Sequence, residues 1–304
     1  MNREPAENIT ADLKKFPPLQ EYIQGLKELM KMNLSVLTTK EMADVFYKRV
    51  VLFQQVFGLN PSECFNEREF YRVRMNIQEN EDENLLRTYS YPPASACEKN
   101  GRANLSGRSV FYCSDHAGTA LLESKPKEGQ IGYLSVWRGN AFRDVKYGVC
   151  LNEELKAENP YWDMKNTVNK FVKDEAVKMA GGKSEHFIQF YNFVAERFVN
   201  EGSPYSLTSW IANEMLYEGQ WKDYIIYPSK ANAGDGCNMA FHPNSADTML
   251  RFSKVMKFNF LSKEGSYISL NNIRIGELDQ NRMNWRKAYE SELREIMPAG
   301  NYLK

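Results

Sequence analysis

The segment GRANLSGRSVFYCSDHAGTALLE, residues 101–123, gathers residue types that can grip a charged ligand and act on it. Gly101 lets the backbone approach a bound group closely. Arg102 offers a planar fork of donors suited to a phosphate. Tyr112 follows ten residues later and Glu123 eleven after that. On a helix whose Ala117, Ala120 and Leu121 face inward, Glu123 sits at the margin, where it can look into a cleft. Each residue alone has an ordinary reading: a solvated charge for Arg102 or Glu123, a core position for Tyr112. GRANLSGR also lacks the lysine and hydroxyl residue of a Walker loop, and nothing around it has the strand–loop–helix context of a Rossmann fold.

The elements that must position these residues follow from periodicity. LQEYIQGLKELMKM and the run from Thr39 through Val45, Phe46, Val50, Val51 and Phe53 have helical spacing, predicting helices over 19–58 that Gly58 and Pro61 end. FYRVRMNI from Phe70 alternates as a strand, with a polar turn from Glu79 to Glu83. SVFYCS (109–114) predicts a strand, followed by a short helix from Asp115 to Ser124, and IGYLSVW (131–137) a further strand. Helices are expected at 162–179, 186–200 and 205–218, and short buried strands at DYIIYPS (223–229) and NMAFH (238–242). Strands over 250–262 and 266–276 read as a hairpin around Lys263-Glu264-Gly265, and a last helix is expected at 280–296. Without a regular βαβ rhythm, an α+β class is indicated.

Composition narrows the chemistry. The chain has 304 residues, with 39 basic and 39 acidic side chains. That balance argues against broad phosphate neutralisation, so no nucleic-acid partner is expected. Cys64, Cys97, Cys113, Cys150 and Cys237 are odd in number and have no C-x-x-C spacing; His116, His186 and His242 lie far apart. Neither a disulfide framework nor a metal site is indicated. Cys113 reads as a small buried hydrophobe, Arg108 and His116 as surface residues. MNREPAENITADLKK has no signal-peptide core and no apolar run is long enough to span a bilayer, so a cytoplasmic chain with no membrane partner is expected.

Taken together, these motifs resemble the RES family, named for its Arg, Glu and Ser. Its pattern G-R-[WF]-[NH]-x-x-G-x-[PS]-[VA]-x-Y is matched by Gly101-Arg102-Ala103-Asn104, Gly107, Val110 and Tyr112, and its alanine-rich helix by Thr119-Ala120-Leu121-Leu122-Glu123. The family's Y-P-S and G-x-N motifs are matched by Tyr227-Pro228-Ser229 and Gly236-Cys237-Asn238, and its opening strand by Tyr71-Arg72-Val73-Arg74. The similarity covers roughly residues 67 to 250. Two departures stand out. Ala103 replaces a frequent aromatic, so one wall is missing or supplied elsewhere, and Glu123 and Ser229 lie 106 residues apart. The polar stretch 139–185 is therefore expected to be an insertion in a catalytic domain of 67–304, behind an N-terminal helical extension of 1–66.

The resemblance implies an ADP-ribosyltransferase-like mixed β core and an enzyme that consumes NAD+ as substrate, with no other cofactor. It implies a glycohydrolase or phosphorylase cleaving the nicotinamide–ribose bond, in the role of a toxin held by an Xre-like antitoxin. The alternatives are a mono-ADP-ribosyltransferase acting on a protein, or a catalytically silent binding module; self-association stays open. In this reading Glu123 is the catalytic carboxylate, stabilising the oxocarbenium-like ribose. Arg102 holds the phosphates or the ribose, Tyr112 stacks on nicotinamide, and Ser229 bonds the ribose or Arg102. Arg72 reads either as a second phosphate contact or as an edge-strand charge, and Asn238 either orients the Ser229 loop or is a plain turn residue.

Overall fold

The computed structural model describes residues 17–32, 34–49, 57–79, 81–151, 155–179, 184–218, 221–264, 267–297 and 300–302. In chain order it runs α1 (Leu19–Lys31), α2 (Thr39–Arg49), β1 (Phe57–Asn60), α3 (Ser62–Asn66), β2 (Glu69–Met75), β3 (Phe111–Ser114) and α4 (Ala117–Glu123). It continues with β4 (Ile131–Gly139), β5 (Val145–Val149), α5 (Trp162–Met179), α6 (Ser184–Asn200), α7 (Ser206–Leu216), β6 (Tyr224–Pro228), β7 (Cys237–Phe241) and α8 (Pro243–Met249). The chain closes with β8 (Leu250–Glu264), β9 (Tyr267–Asp279), β10 (Arg282–Lys287), α9 (Glu290–Ile296) and β11 (Gly300–Tyr302). The class is α+β.

One eleven-stranded sheet links these strands in the order β1-β5-β6-β7-β3-β2-β4-β8-β9-β10, with β11 beside β9. Every pairing is antiparallel except β5 with β6 and β9 with β11. The strands β6 and β7 are buried throughout, which their near-continuous apolar runs YIIYP and CNMAF require.

Alternation sorts the two faces. Phe111 and Cys113 of β3, Ile226 of β6 and Met239 of β7 enter a core rich in aromatic rings, with Phe70, Trp137, Tyr224 and Phe241. Tyr112, Ile225, Tyr227 and Ala240 join the opposite core, built with α1, α6 and α7. Tyr22, Leu26, Leu29 and Leu34 belong to this second core together with Ala103, Val110 and Trp210. The N-terminal helices are thus continuous with the interior behind the Gly101 turn.

The pairing β2–β3 consists of Tyr71↔Ser114 alone, whereas β2 runs alongside β4 over seven residue pairs, Glu69↔Arg138 to Met75↔Gly132. Over Phe111–Cys113, before Ser114, no further β2–β3 pair forms, and the sheet opens between the two strands. Arg72 bridges the gap, its Nη1 donating to the Tyr112 carbonyl at 3.0 Å.

Several expectations change. The helix expected at 280–296 is a strand followed by a helix. Met283 and Trp285 pack inward in β10 while Arg282 and Asn284 face out, a period of two, and β10 pairs with β9 around the two-residue turn Gln280-Asn281. Only from Tyr289, whose turn Glu292 closes as a capping box, does a helix begin. Gly58, expected to end a helix, lies in β1, and β1 pairs with β5 from Phe57↔Gly148 to Asn60↔Val145. The sheet therefore draws strands both from the expected extension 1–66 and from the expected insertion 139–185. Val50, Val51, Phe53 and Gly265 lie outside the described residues.

Because Leu26 is buried against α6 and α7, Leu26→Ala should destabilise the chain by about 2–4 kcal/mol in urea unfolding. A loss under about 1 kcal/mol would show that α1 is not part of the core.

Candidate active site

The turn that carries Arg102 is a tight hairpin. Gly101 N–H donates to the Asn104 carbonyl at 2.9 Å and Asn104 N–H to the Gly101 carbonyl at 3.3 Å. Tyr112 locks it: its hydroxyl accepts from Ala103 N–H at 2.7 Å and donates to Asn104 Oδ1 at 2.9 Å. A Cβ on residue 101 would lie 2.3 Å from Asn104 Oδ1 and 2.8 Å from Tyr112 Oη, so only glycine fits. Burial of the Tyr112 ring pushes its hydroxyl well above the usual tyrosine range, which keeps it a hydrogen-bonding phenol.

Arg102 leaves this turn toward the helices. Its Nη1 donates to the Phe198 carbonyl at 2.5 Å, and its guanidinium lies 4.9 Å from the Tyr205 ring centroid. Both partners are neutral, so the charge of Arg102 is oriented but not cancelled.

Glu123 ends α4 and is exposed at its tip. Ser229 Oγ donates to its Oε1 at 2.6 Å, and Asn238 Nδ2 donates to the same oxygen at 2.7 Å. Oε2 accepts no protein hydrogen bond among the described residues, so one oxygen anchors the carboxylate and the other is presented outward. Asn238 is itself oriented by Ser114, whose Oγ donates to its Oδ1 at 2.7 Å. Ser229 is 1% exposed and lies beneath Glu123. Its hydroxyl bonds Glu123, not Arg102, and Asn238 acts on the carboxylate directly.

The loop 229–236 is pinned to α4 for this purpose. Ser229 N–H donates to the Gly236 carbonyl at 2.9 Å, and Asn232 and Thr119 share a hydrogen bond of 2.7 Å. Asp115 accepts from Cys237 N–H at 3.0 Å. A Cβ on residue 236 would meet Thr119 Oγ1 at 2.3 Å, which explains a glycine there.

A cavity of about 400 Å³ joins these groups over the gap between β2 and β3. Arg72, Arg102, Tyr112, Glu123 and Asn238 all line it, with Tyr205, Lys125 and Lys230. Among the described residues, Glu123 is the one carboxylate in its wall and no carboxylate pairs with its four cations. Arg72 is half-buried: desolvation, then the neighbouring Arg74, pulls its guanidinium down to about 10, and its Nε is buried without a hydrogen-bond partner. A buried donor of a cation left without a partner is costly, and an anion in the cavity relieves that cost.

The sequence motifs thus converge on one place: Arg72, Arg102, Tyr112, Glu123 and Asn238 in the wall, Ser229 behind it. Sequence reading missed Ser114, which shares the Tyr112 face of β3 by alternation, and Tyr205, which only tertiary folding brings here. Cys113 lies on the other face, 5% exposed, and burial pushes its thiol well above the usual range. Arg108 lies exposed over Tyr217, and exposed His116 pairs with Asp115 at 3.1 Å. A larger groove of about 1240 Å³ runs beside β8, but its five carboxylates, Glu81, Asp82, Asp247, Glu277 and Glu292, are each already hydrogen-bonded to the protein. Among the described residues no group of three or more His, Cys, Asp or Glu could hold a metal ion, and no helix is long and apolar enough to cross a membrane.

Comparison with models of known protein families gives no match, and comparison with curated proteins likewise gives none.

Gly236→Ala should cost about 1–3 kcal/mol by forcing its new methyl onto Thr119. In a double-mutant cycle by thermal or urea unfolding, Thr119→Ala combined with Gly236→Ala should cost less than the sum of the single changes. Simple additivity would show that this contact does not exclude the side chain.

Proposed function

We propose that the cavity binds NAD+ and that the protein cleaves its nicotinamide–ribose bond. One observation carries the reading: a carboxylate fixed through a single oxygen by Ser229 and Asn238, in a cavity whose wall also holds four cations with no carboxylate partner. A dinucleotide brings to such a cavity a diphosphate for the cations and a ribose for the carboxylate. The motif resemblance to the RES family supports the same ligand, and a sheet that opens between β2 and β3 fits an ADP-ribosyltransferase-like core.

In the reaction the bond between ribose C1′ and the ring nitrogen breaks, and its electron pair returns to nicotinamide, which leaves neutral. Positive charge develops on the ribose. Oε2 of Glu123 stabilises that charge because Oε1 is already committed, so the carboxylate needs no reorientation as the charge appears. Water then adds to C1′ and loses a proton to Glu123 or solvent, giving ADP-ribose; inorganic phosphate in its place gives the 1-phosphate. Arg72 and Arg102 hold the diphosphate, their forks suited to it. Tyr112 presents its ring to the cavity while its hydroxyl holds the Arg102 turn. Ser229 and Asn238 position Glu123. A toxin role with an Xre-like antitoxin follows from the resemblance alone.

The test is nicotinamide release from NAD+ by the purified protein, with and without inorganic phosphate. Glu123→Gln should reduce kcat at least about 100-fold, the scale of losing a positioned transition-state group. Ser229→Ala should lower kcat by about 10-fold with KM little changed, whereas Arg72→Gln should act mainly on KM. No release under either condition overturns the reading, and label from NAD+ retained on a protein in lysate redirects it to ADP-ribosyl transfer.

A further inference from the structure

Ala103 leaves the motif without an aromatic wall, and the structure shows where a wall comes from. Ala103 is 1% exposed, closed off against the core of α6 and α7, and offers nothing to the cavity. Tyr205, which no motif marks, lines the cavity instead. It precedes α7, with φ 55° and ψ 35°, a left-handed conformation that a bulky residue adopts only at an energetic cost. Position 205 has no capping duty that needs a tyrosine: Glu201 accepts from Leu207 N–H at 2.9 Å and Thr208 N–H at 2.7 Å, closing the helix start. The strain therefore serves the direction of the side chain, which carries the ring to Arg102 and to the cavity.

Resting on the NAD+ reading, we propose that Tyr205 is a substrate-binding residue and forms the platform on which the adenine ring of the dinucleotide stacks. The choice of ring follows from charge. Tyr205 already holds the Arg102 guanidinium at 4.9 Å. A ring engaged with one cation gains less from a second, and the nicotinamide of NAD+ is cationic whereas adenine is neutral. Tyr112, whose ring holds no such cation, is left for nicotinamide. Arg102 then contacts the diphosphate beside the base that Tyr205 carries, and recognition of phosphate and of adenine becomes one unit.

The experiment compares NAD+ with nicotinamide mononucleotide, which keeps the scissile bond and lacks the adenylate. Nicotinamide release is followed for wild type, Tyr205→Phe and Tyr205→Asn; asparagine tolerates the left-handed backbone, so the fold is kept, and unfolding midpoints check that. The KM ratio of NAD+ to the mononucleotide should rise about tenfold in Tyr205→Asn, the scale of one lost base stack, and stay near wild type in Tyr205→Phe. The effect should fall on KM, not kcat. An unchanged ratio, including one in which both KM values rise together, overturns the adenine platform while nicotinamide release keeps the NAD+ reading intact. If the wild type releases nicotinamide from neither compound, both readings fall.

Discussion

A carboxylate can stabilise a developing cation only if it is held in place yet left unneutralised, and the arrangement around Glu123 meets both demands. A cation as partner would hold the group and cancel its charge. Ser229 and Asn238 hold it with neutral donors, each contributing a charge-assisted hydrogen bond worth about 1.5–3 kcal/mol. Ser229 opens the loop 229–236 and Asn238 lies in β7 just after it, while Glu123 comes from α4. Much of the local structure joins these two pieces: Asp115 on Cys237 N–H, Thr119 with Asn232, and the bare glycine at 236.

The second constraint is the opening of the sheet. A continuous β2–β3 ladder would fill the space that the cavity occupies. One pair, Tyr71↔Ser114, keeps the strands joined at the level of Asn238; past it the backbone groups of β3 need other partners. Arg72 supplies one through the Tyr112 carbonyl, so a cation in the cavity wall also completes the sheet's hydrogen bonding. Replacing Arg72 therefore disturbs both the wall and the edge of β3, whereas Lys125 and Lys230 at the rim contribute charge alone.

The sequence reveals more of the site than of the fold. Glycine–arginine turn, strand tyrosine, helical glutamate and the Y-P-S and G-x-N motifs are short and local, and each marks a place where backbone geometry or a polar contact tolerates few residue types. What they do together was less legible. Ser229 reads as a ligand contact by residue type, but its burial makes it a support for Glu123. Strands β1 and β5 escaped notice because FGLN and VKYGV are too short to show a period, and their pairing is decided by each other and by β6. Over 280–296, charged residues common in helices masked the alternation of Met283 and Trp285, which packing against the sheet resolves in favour of a strand.

Tyr205 shows why such a residue stays hidden in a linear reading. The aromatic that the resemblance leads one to expect beside Arg102 is absent at 103, and the local sequence offers no replacement. A ring in the same neighbourhood is supplied from about a hundred positions away, by a helix start whose capping has passed to Glu201. This exchange is consistent with Ala103: a small side chain there lets α6 and α7 close onto the turn, bringing the Phe198 carbonyl and the Tyr205 ring to Arg102. An aromatic at 103 would need the room those helices occupy. The small residue, the helical cover extended by α1, and the strained tyrosine therefore belong to one solution, in which the wall of the cavity is moved from the turn to the helices packed upon it.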